Sequence, residues 1–169
     1  LTNFDCSVFW VADRSKLIET LSILPPYLRN ETEDNPAAID YRDWHVPLGR
    51  RFRALKLWFV LRSYGAENLR KFIRSHVAWA EELESRIIND QRLELTAPRT
   101  LALVCFRHTD GNDATRKLAD AINASGSAYV TPSVTDDVSY IRVSIGSTWT
   151  EQRHVEDLWN LIDSNAGLK

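Results

Sequence analysis

The stretch Ile39–Gly65, which reads IDYRDWHVPLGRRFRALKLWFVLRSYG, decides how the rest of the chain is interpreted. It starts as a polar segment with aromatic residues and ends in a segment rich in apolar residues. Pro47 suits the first turn of a helix. Backbone N–H groups in that turn have no hydrogen-bond partner within the helix, so the N–H that proline lacks is not missed there. From Leu48 onward, apolar residues recur at helical spacing, which predicts a helix with one apolar face. Gly65 is expected to end this helix, because glycine adopts positive φ without strain.

The second half of the chain has the pattern of an α+β domain. A long helix is predicted from about residue 66 to residue 88, where apolar residues keep helical spacing throughout. Two more helices are predicted, one capped by Asn112 or Asp113 and ended by Gly126, the other capped by Thr150. Alternating and short apolar runs predict four strands, at residues 93–96, 100–107, 129–134 and 138–145. These elements indicate a mostly antiparallel sheet with helices on one face.

The first 60 residues have a different character. Asn3–Val11 (NFDCSVFWV) is apolar and aromatic, which predicts a buried strand, and a short amphipathic helix is expected after it. Residues 24–40 form a long, acidic loop that contains prolines, and loops of this length in compact domains are often functional lids. We therefore divide the chain into residues 1–60, which include this loop, and residues 61–169, which form the α+β domain.

Composition and charge exclude several classes of function. The 169 residues carry 21 basic and 23 acidic side chains, so the net charge of −2 gives no general attraction to nucleic acid. No apolar run is long enough to span a membrane. Cys6 and Cys105 both lie in apolar runs, which predicts two buried, reduced thiols and a cytoplasmic protein. We expect neither a nucleic acid nor a membrane as partner.

The sequence lacks the motifs of several common catalytic sites. It has no phosphate-binding glycine loop, and no two histidines stand at metal-ligand spacing, so no metal site is predicted. His76 falls on the apolar face of the long helix and is expected to be a hydrogen-bonded packing residue. The remaining candidates each have a structural alternative: Tyr27 could anchor its loop, and Arg142 could be a salt-bridged core arginine. Arg50 and Arg51 could pair with acidic residues across an interface.

Three segments carry a resemblance to a known family. They are LTNFDCSVFWV at residues 1–11, PPYLRN followed by the Ile39–Gly65 stretch, and TLALVCFR at residues 100–107. Together they resemble the C-terminal portion of the group II pyridoxal-phosphate (PLP) decarboxylases, and most closely the aromatic L-amino-acid decarboxylases. The resemblance implies an α/β protein of PLP-dependent transferase fold type I. In that fold, residues 1–60 would end the large PLP-binding domain and residues 61–169 would form the small domain.

The resemblance also assigns roles to individual residues. Tyr27 matches the tyrosine of the mobile catalytic loop, which protonates the substrate carbon after CO₂ leaves; a phenylalanine there is typical of aldehyde synthases. Phe4 resembles an aromatic that packs against the substrate ring. Arg142 resembles an arginine that contacts the substrate carboxylate in glutamate-specific relatives, or that supports the loop. Leu48 and Gly49 resemble cofactor-binding residues contributed by the partner subunit, and histidine-selective relatives often carry serine in place of this glycine.

The implied activity is the conversion of an aromatic L-amino acid to its amine and CO₂ by a homodimer with shared active sites. The lysine that binds PLP covalently is expected just upstream of Leu1. The chain, which contains no Met, is therefore expected to be a fragment that is inactive alone. Two alternatives stay open. The full protein could be a histidine decarboxylase or another group II decarboxylase, and the isolated piece could be a non-catalytic dimerisation module.

Overall fold

The computed structural model describes residues 1–2, 4–22, 41–47 and 49–167. The chain divides into two compact units, Thr2–Ser63 and Tyr64–Lys169, and Leu1 belongs with the second. Tyr27, Leu48 and the predicted loop at residues 24–40 lie outside the described residues. None of the helices in the described part of the chain is long and apolar enough to cross a membrane.

The first unit contains short helices. Helix α1 spans Arg14–Leu21, and the Asp13 side chain caps it by accepting a hydrogen bond from the Ser15 N–H at 2.9 Å. A 3₁₀ helix of four residues spans Tyr41–Trp44. The apolar side of α1 is half-buried, as its amphipathic pattern predicts.

The prediction of a buried strand near the start of the chain is wrong for this structure. Residues 5–11 form no regular secondary structure, and several of their apolar side chains are exposed, for example Phe9 at 76% and Trp10 at 86%. Cys6, predicted to be buried, is exposed, whereas Cys105 is half-buried. An apolar run shows only that burial of the segment would be favourable. Burial also requires other strands or helices that cover the segment, and the described residues contain no element that covers residues 5–11.

Helix α2 spans Arg53–Asn89 and has two helical parts, because Gly65 inside it has φ 74° and ψ 156°. The positive φ predicted for this glycine is confirmed, although its ψ lies outside the left-handed helical region. The predicted start at Pro47 is wrong, since the helix begins six residues later, at Arg53. Asn68 supports the break by donating a side-chain hydrogen bond to the Tyr64 carbonyl at 3.0 Å.

The second unit contains a four-stranded antiparallel sheet, as predicted. Its strands are β1 (Leu93–Leu95), β2 (Leu103–His108), β3 (Thr131–Thr135) and β4 (Val138–Ser144), in the order β1-β2-β4-β3. A two-residue turn joins β3 to β4, and both of its residues, Asp136 and Asp137, have positive φ. This conformation matches the right-handed twist of the two strands.

Two further helices complete this unit: α3 (Asn112–Ala124) and α4 (Gln152–Asn165). Their predicted N-caps are wrong by one residue. Gly111 precedes α3 and provides no side-chain cap, while Glu151 caps α4. The His154 side chain completes a reciprocal capping box by accepting a hydrogen bond from the Glu151 N–H at 3.0 Å.

The core of the second unit lies between one face of the sheet and its helices. On the central strands alternate residues are buried, as in Val104 and Phe106 of β2 or Ile141 and Val143 of β4. The helices contribute apolar residues at helical spacing, and these are Ala80, Leu83, Ile87, Leu118, Ala119, Ile122, Val155, Leu158 and Ile162. The intervening strand residues form the opposite, partly exposed face of the sheet.

Candidate active-site residues

Phe4 lies in the first unit and is almost fully exposed, at 97%. The following residue, Asp5, has a defined partner: the Arg53 Nε–H donates to its Oδ1 at 3.0 Å. This hydrogen bond is the main reason why the pKa of Asp5 is lowered from its ordinary value, and the charge of Lys56 acts in the same direction. The start of α2 therefore holds the segment that contains Phe4.

Gly49 lines an open depression of about 580 Å³ in the same unit. Its other lining residues are His45, Val46, Pro47, Arg50, Arg51 and Arg53. A Cβ placed on Gly49 would meet no atom within 4 Å among the described residues. Among the described residues, the lining is basic and contains no acidic side chain. The depression therefore favours an anionic group over a cation.

The arginines of this depression differ in their partners. Arg53 pairs with Asp5 within the same unit. Within the part of the chain that the structure describes, Arg50 and Arg51 have no ion pair and are exposed. The Nδ1 atom of His45 is buried and has no hydrogen-bond partner there. The exposed guanidinium groups of Arg50 and Arg51 therefore retain hydrogen-bonding capacity that a ligand or another chain could use.

Arg142 lies on β4 in the second unit. Its Cα partners across the sheet are Cys105 on β2 and Thr131 on β3, so it occupies the partly exposed face of the sheet. It is exposed, and no ion pair to it exists among the described residues, in contrast to Arg107, which pairs with Glu94 on the same sheet. The alternative of a salt-bridged core arginine is therefore wrong, and the guanidinium is accessible.

Two buried histidines have structural partners. His76 is 4% exposed and packs against Phe72, with ring centroids 4.1 Å apart. Burial lowers its pKa, and a hydrogen bond to the Thr150 backbone opposes this shift. The prediction of a packing role for His76 is confirmed. His108 lies between the Ala166 carbonyl, 2.9 Å from its Nε2, and the Asp110 N–H, which donates to its Nδ1 at 3.0 Å.

The described residues contain no cluster of His, Cys, Asp or Glu that could hold a metal ion. The basic lining at Gly49 in the first unit and the accessible Arg142 in the second unit each favour an anionic group. A family model, the pyridoxal-dependent decarboxylase conserved domain, matches residues 1–109. The chain belongs to the pyridoxal-dependent decarboxylase family.

Relatives of this family match nearly the whole chain. Tyrosine decarboxylase 2 of Narcissus pseudonarcissus is 44% identical over 175 residues, which cover 99% of this chain and 35% of that protein. Phenylacetaldehyde synthase of a Rosa hybrid cultivar is 42% identical, over 98% of this chain and 35% of that protein. The crystal structure of Oryza sativa TDC with PLP and tryptamine matches with a TM-score of 0.81 at 38% identity, over 91% of this chain and 34% of that one. The chain thus spans about a third of the length of these relatives.

These matches confirm the predicted family and the predicted PLP-dependent transferase fold type I. The described residues also fit the phosphate-bearing cofactor of this family. Phosphate requires hydrogen-bond donors and positive charge, and the depression beside Gly49 offers the exposed side chains of Arg50 and Arg51. These are the residues of this chain that would contribute to holding it.

Sequence reasoning missed the Asp5–Arg53 pair. One signal could have indicated it. Asp5 is the only charged residue within the apolar run NFDCSVFWV, and a charge inside such a run needs a partner of opposite sign. The sequence does not show which of the many arginines is that partner.

Proposed function

We propose that the full protein is a PLP-dependent decarboxylase that converts an aromatic L-amino acid to the corresponding amine and CO₂. One observation carries the proposal: tyrosine and tryptophan decarboxylases match 98–99% of the chain at 43–44% identity. When bound, PLP would supply an electron-withdrawing ring. This ring would accept the electron pair that remains on the substrate when CO₂ departs.

The residues of this chain have three tasks in the proposed mechanism. Phe4 packs against the aromatic ring of the substrate and selects for it. Tyr27 donates a proton to the substrate carbon that has lost CO₂, which is a general-acid role. Arg142, exposed on the sheet, contacts the substrate carboxylate or supports the loop that carries this tyrosine. A tyrosine at position 27 favours the amine as product over the aldehyde.

We further propose that the protein is a homodimer in which Leu48 and Gly49 reach the active site of the partner subunit. The exposed start of α2 supports this proposal. Leu55, Trp58 and Phe59 are each 42–55% exposed, although a helix segment with apolar residues around much of its circumference is normally covered. Association with other parts of the full protein, including a second subunit, would remove this surface from water.

A cytoplasmic location is part of the same proposal. Both cysteines are free thiols, which suits a reducing compartment. Fractionation of cells that produce the full protein tests this assignment. Recovery of the protein in an oxidising compartment, such as the secretory pathway, would contradict it.

The purified full protein, supplied with PLP, should release CO₂ and the corresponding amine from tyrosine, dopa or tryptophan. Parallel assays with histidine test the main alternative, and preferential turnover of histidine would contradict the aromatic assignment. Product analysis must separate amine from aldehyde, because the relatives include a phenylacetaldehyde synthase. Sedimentation of the 169-residue chain tests the alternative that the isolated piece is a non-catalytic dimerisation module. A folded monomer would argue against that alternative.

A further inference from the structure

We propose that Asp5 and Arg53 form a positioning pair that holds the Phe4 segment beside the turn containing Gly49. The inference rests on the proposed function, in which Phe4 contacts the substrate and Gly49 serves the partner subunit's site. The pair would therefore connect a residue of one active site to a residue of the other. Neither Asp5 nor Arg53 is itself expected to touch the substrate.

The geometry around Arg53 supports this connection. Its Nε–H donates to the Asp5 carboxylate at 3.0 Å, although the two residues are 48 positions apart in sequence. The same arginine lines the depression that Gly49 also lines. Arg53 therefore contacts the Phe4 segment and also lines the depression beside Gly49.

The Phe4 segment has few other restraints within the described residues. Residues 5–11 form no helix or strand, and Phe4 itself is 97% exposed and so packs against almost nothing. Between Phe4 and Val11, no side chain other than Asp5 makes a hydrogen bond in the described part of the chain. The position of Phe4 relative to Gly49 therefore depends on the Asp5–Arg53 pair.

Because the Asp5–Arg53 pair is accessible to water, its expected role is to position Phe4 and not to stabilise the fold. The Asp5 side chain is 56% exposed and the Arg53 side chain 31%, and ion pairs this accessible to water contribute little to the free energy of folding. The hydrogen bond nevertheless has a defined direction, and it lowers the pKa of Asp5 from its ordinary value. Loss of the pair should therefore disturb substrate binding more than stability.

The test compares Asp5→Asn, Arg53→Gln and the double variant in the full, PLP-loaded protein. Each single variant should raise KM for an aromatic amino acid roughly tenfold, with a smaller change in kcat, because a charged hydrogen bond that orients the pocket is lost. The double variant should lose no more than either single one, since the two residues act as a unit. Asp5→Glu, which keeps the carboxylate, should recover part of the loss.

Arg62→Gln is the matched control. Arg62 lies on the same helix, over the ring of Trp58 at 5.9 Å, and no acidic residue of the described chain pairs with it. The KM of the Arg62→Gln variant should equal that of the unaltered protein. Thermal unfolding of all variants without PLP should also be unchanged. An unchanged KM in Arg53→Gln, additive losses in the double variant, or a lowered unfolding temperature would each overturn the positioning role.

A Phe4→Ala variant separates failure of this inference from failure of the proposed function. If Phe4→Ala raises KM while Arg53→Gln does not, the positioning pair is refuted and the role of Phe4 stands. If Phe4→Ala leaves KM unchanged for every aromatic substrate, the substrate-binding role of Phe4 is refuted, and the positioning pair is refuted with it.

Discussion

Asn112 and Ser139 lie 27 positions apart, yet the Asn112 carboxamide accepts a hydrogen bond from the Ser139 N–H at 2.9 Å. The same carboxamide donates to the Asp137 carbonyl at 2.7 Å. Asn112 therefore joins the first turn of α3 to the β3–β4 hairpin. The sequence predicts a helix cap for this side chain, whereas in the structure it binds the backbone of the hairpin.

Replacement of Asn112 by Ala should lower the free energy of unfolding by about 1–3 kcal/mol, because the partly buried Ser139 N–H and the more exposed Asp137 carbonyl lose their partner. Urea denaturation of the full protein, followed through a probe in this unit, measures the change. Lys117→Ala is the control, since Lys117 is exposed on the same helix. An Asn112→Ala variant as stable as this control would show that water replaces both hydrogen bonds.

His76 should make the stability of its unit depend on pH. Burial lowers its folded-state pKa below the unfolded value of 6.5, so the unfolded chain binds more protons between the two values. The stabilisation is complete above pH 6.5 and is lost as the pH falls through the folded-state pKa. His76→Phe should remove this part of the pH dependence, whereas replacement of the exposed His154 by Gln should not. Unfolding curves between pH 5 and pH 8 measure how the free energy of unfolding depends on pH. The same pH dependence in both variants would contradict the role of His76.

Tyr27→Phe should leave cofactor binding intact and change the product from amine to aldehyde with ammonia, with dissolved dioxygen as the two-electron oxidant that is reduced to hydrogen peroxide. The reason is that phenylalanine lacks the hydroxyl proton that the substrate carbon requires. PLP absorbance measures cofactor binding, and chromatography of the products measures the partition. Unchanged amine output would refute the role of Tyr27 as proton donor.

Gly49→Ser should lower kcat/KM for large aromatic substrates more than kcat/KM for histidine. The substitution should not disturb the local fold, because a Cβ at Gly49 meets no atom within 4 Å among the described residues. The added side chain would instead occupy space in the depression. The ratio of kcat/KM for tryptophan to that for histidine measures the effect, and an equal loss for both substrates would exclude a size filter.

Removal of the Arg142 charge tests the remaining site residue. Arg142→Gln should raise KM for the amino acid without changing stability, since the guanidinium is exposed and has no ion pair among the described residues. Arg107→Gln is the control on the same face of the sheet, where the charge pairs with Glu94. Equal KM values for the two variants would remove Arg142 from the substrate-binding site.

The second unit was predictable from sequence to a large extent because its patterns are local. Strand β4 alternates buried residues with partly or fully exposed ones over its whole length, so the face of Arg142 follows from the period of a β-strand. The turn at Asp136 and Asp137 follows from two residues that tolerate positive φ. The helix caps were less predictable, because Asn112 can bond either to its own helix or to a distant strand.

By itself, the sequence determined the family, the order of helices and strands after Gly65, and the side chains that carry the proposed chemistry. The tertiary structure decided which distant residues meet: Asp5 with Arg53, Asn112 with Ser139, and His108 with Ala166. It also decided that the apolar run at residues 5–11 is exposed in this chain. The physical reason is that periodicity and turn chemistry depend on neighbouring residues, whereas burial and pairing depend on the path of the whole chain.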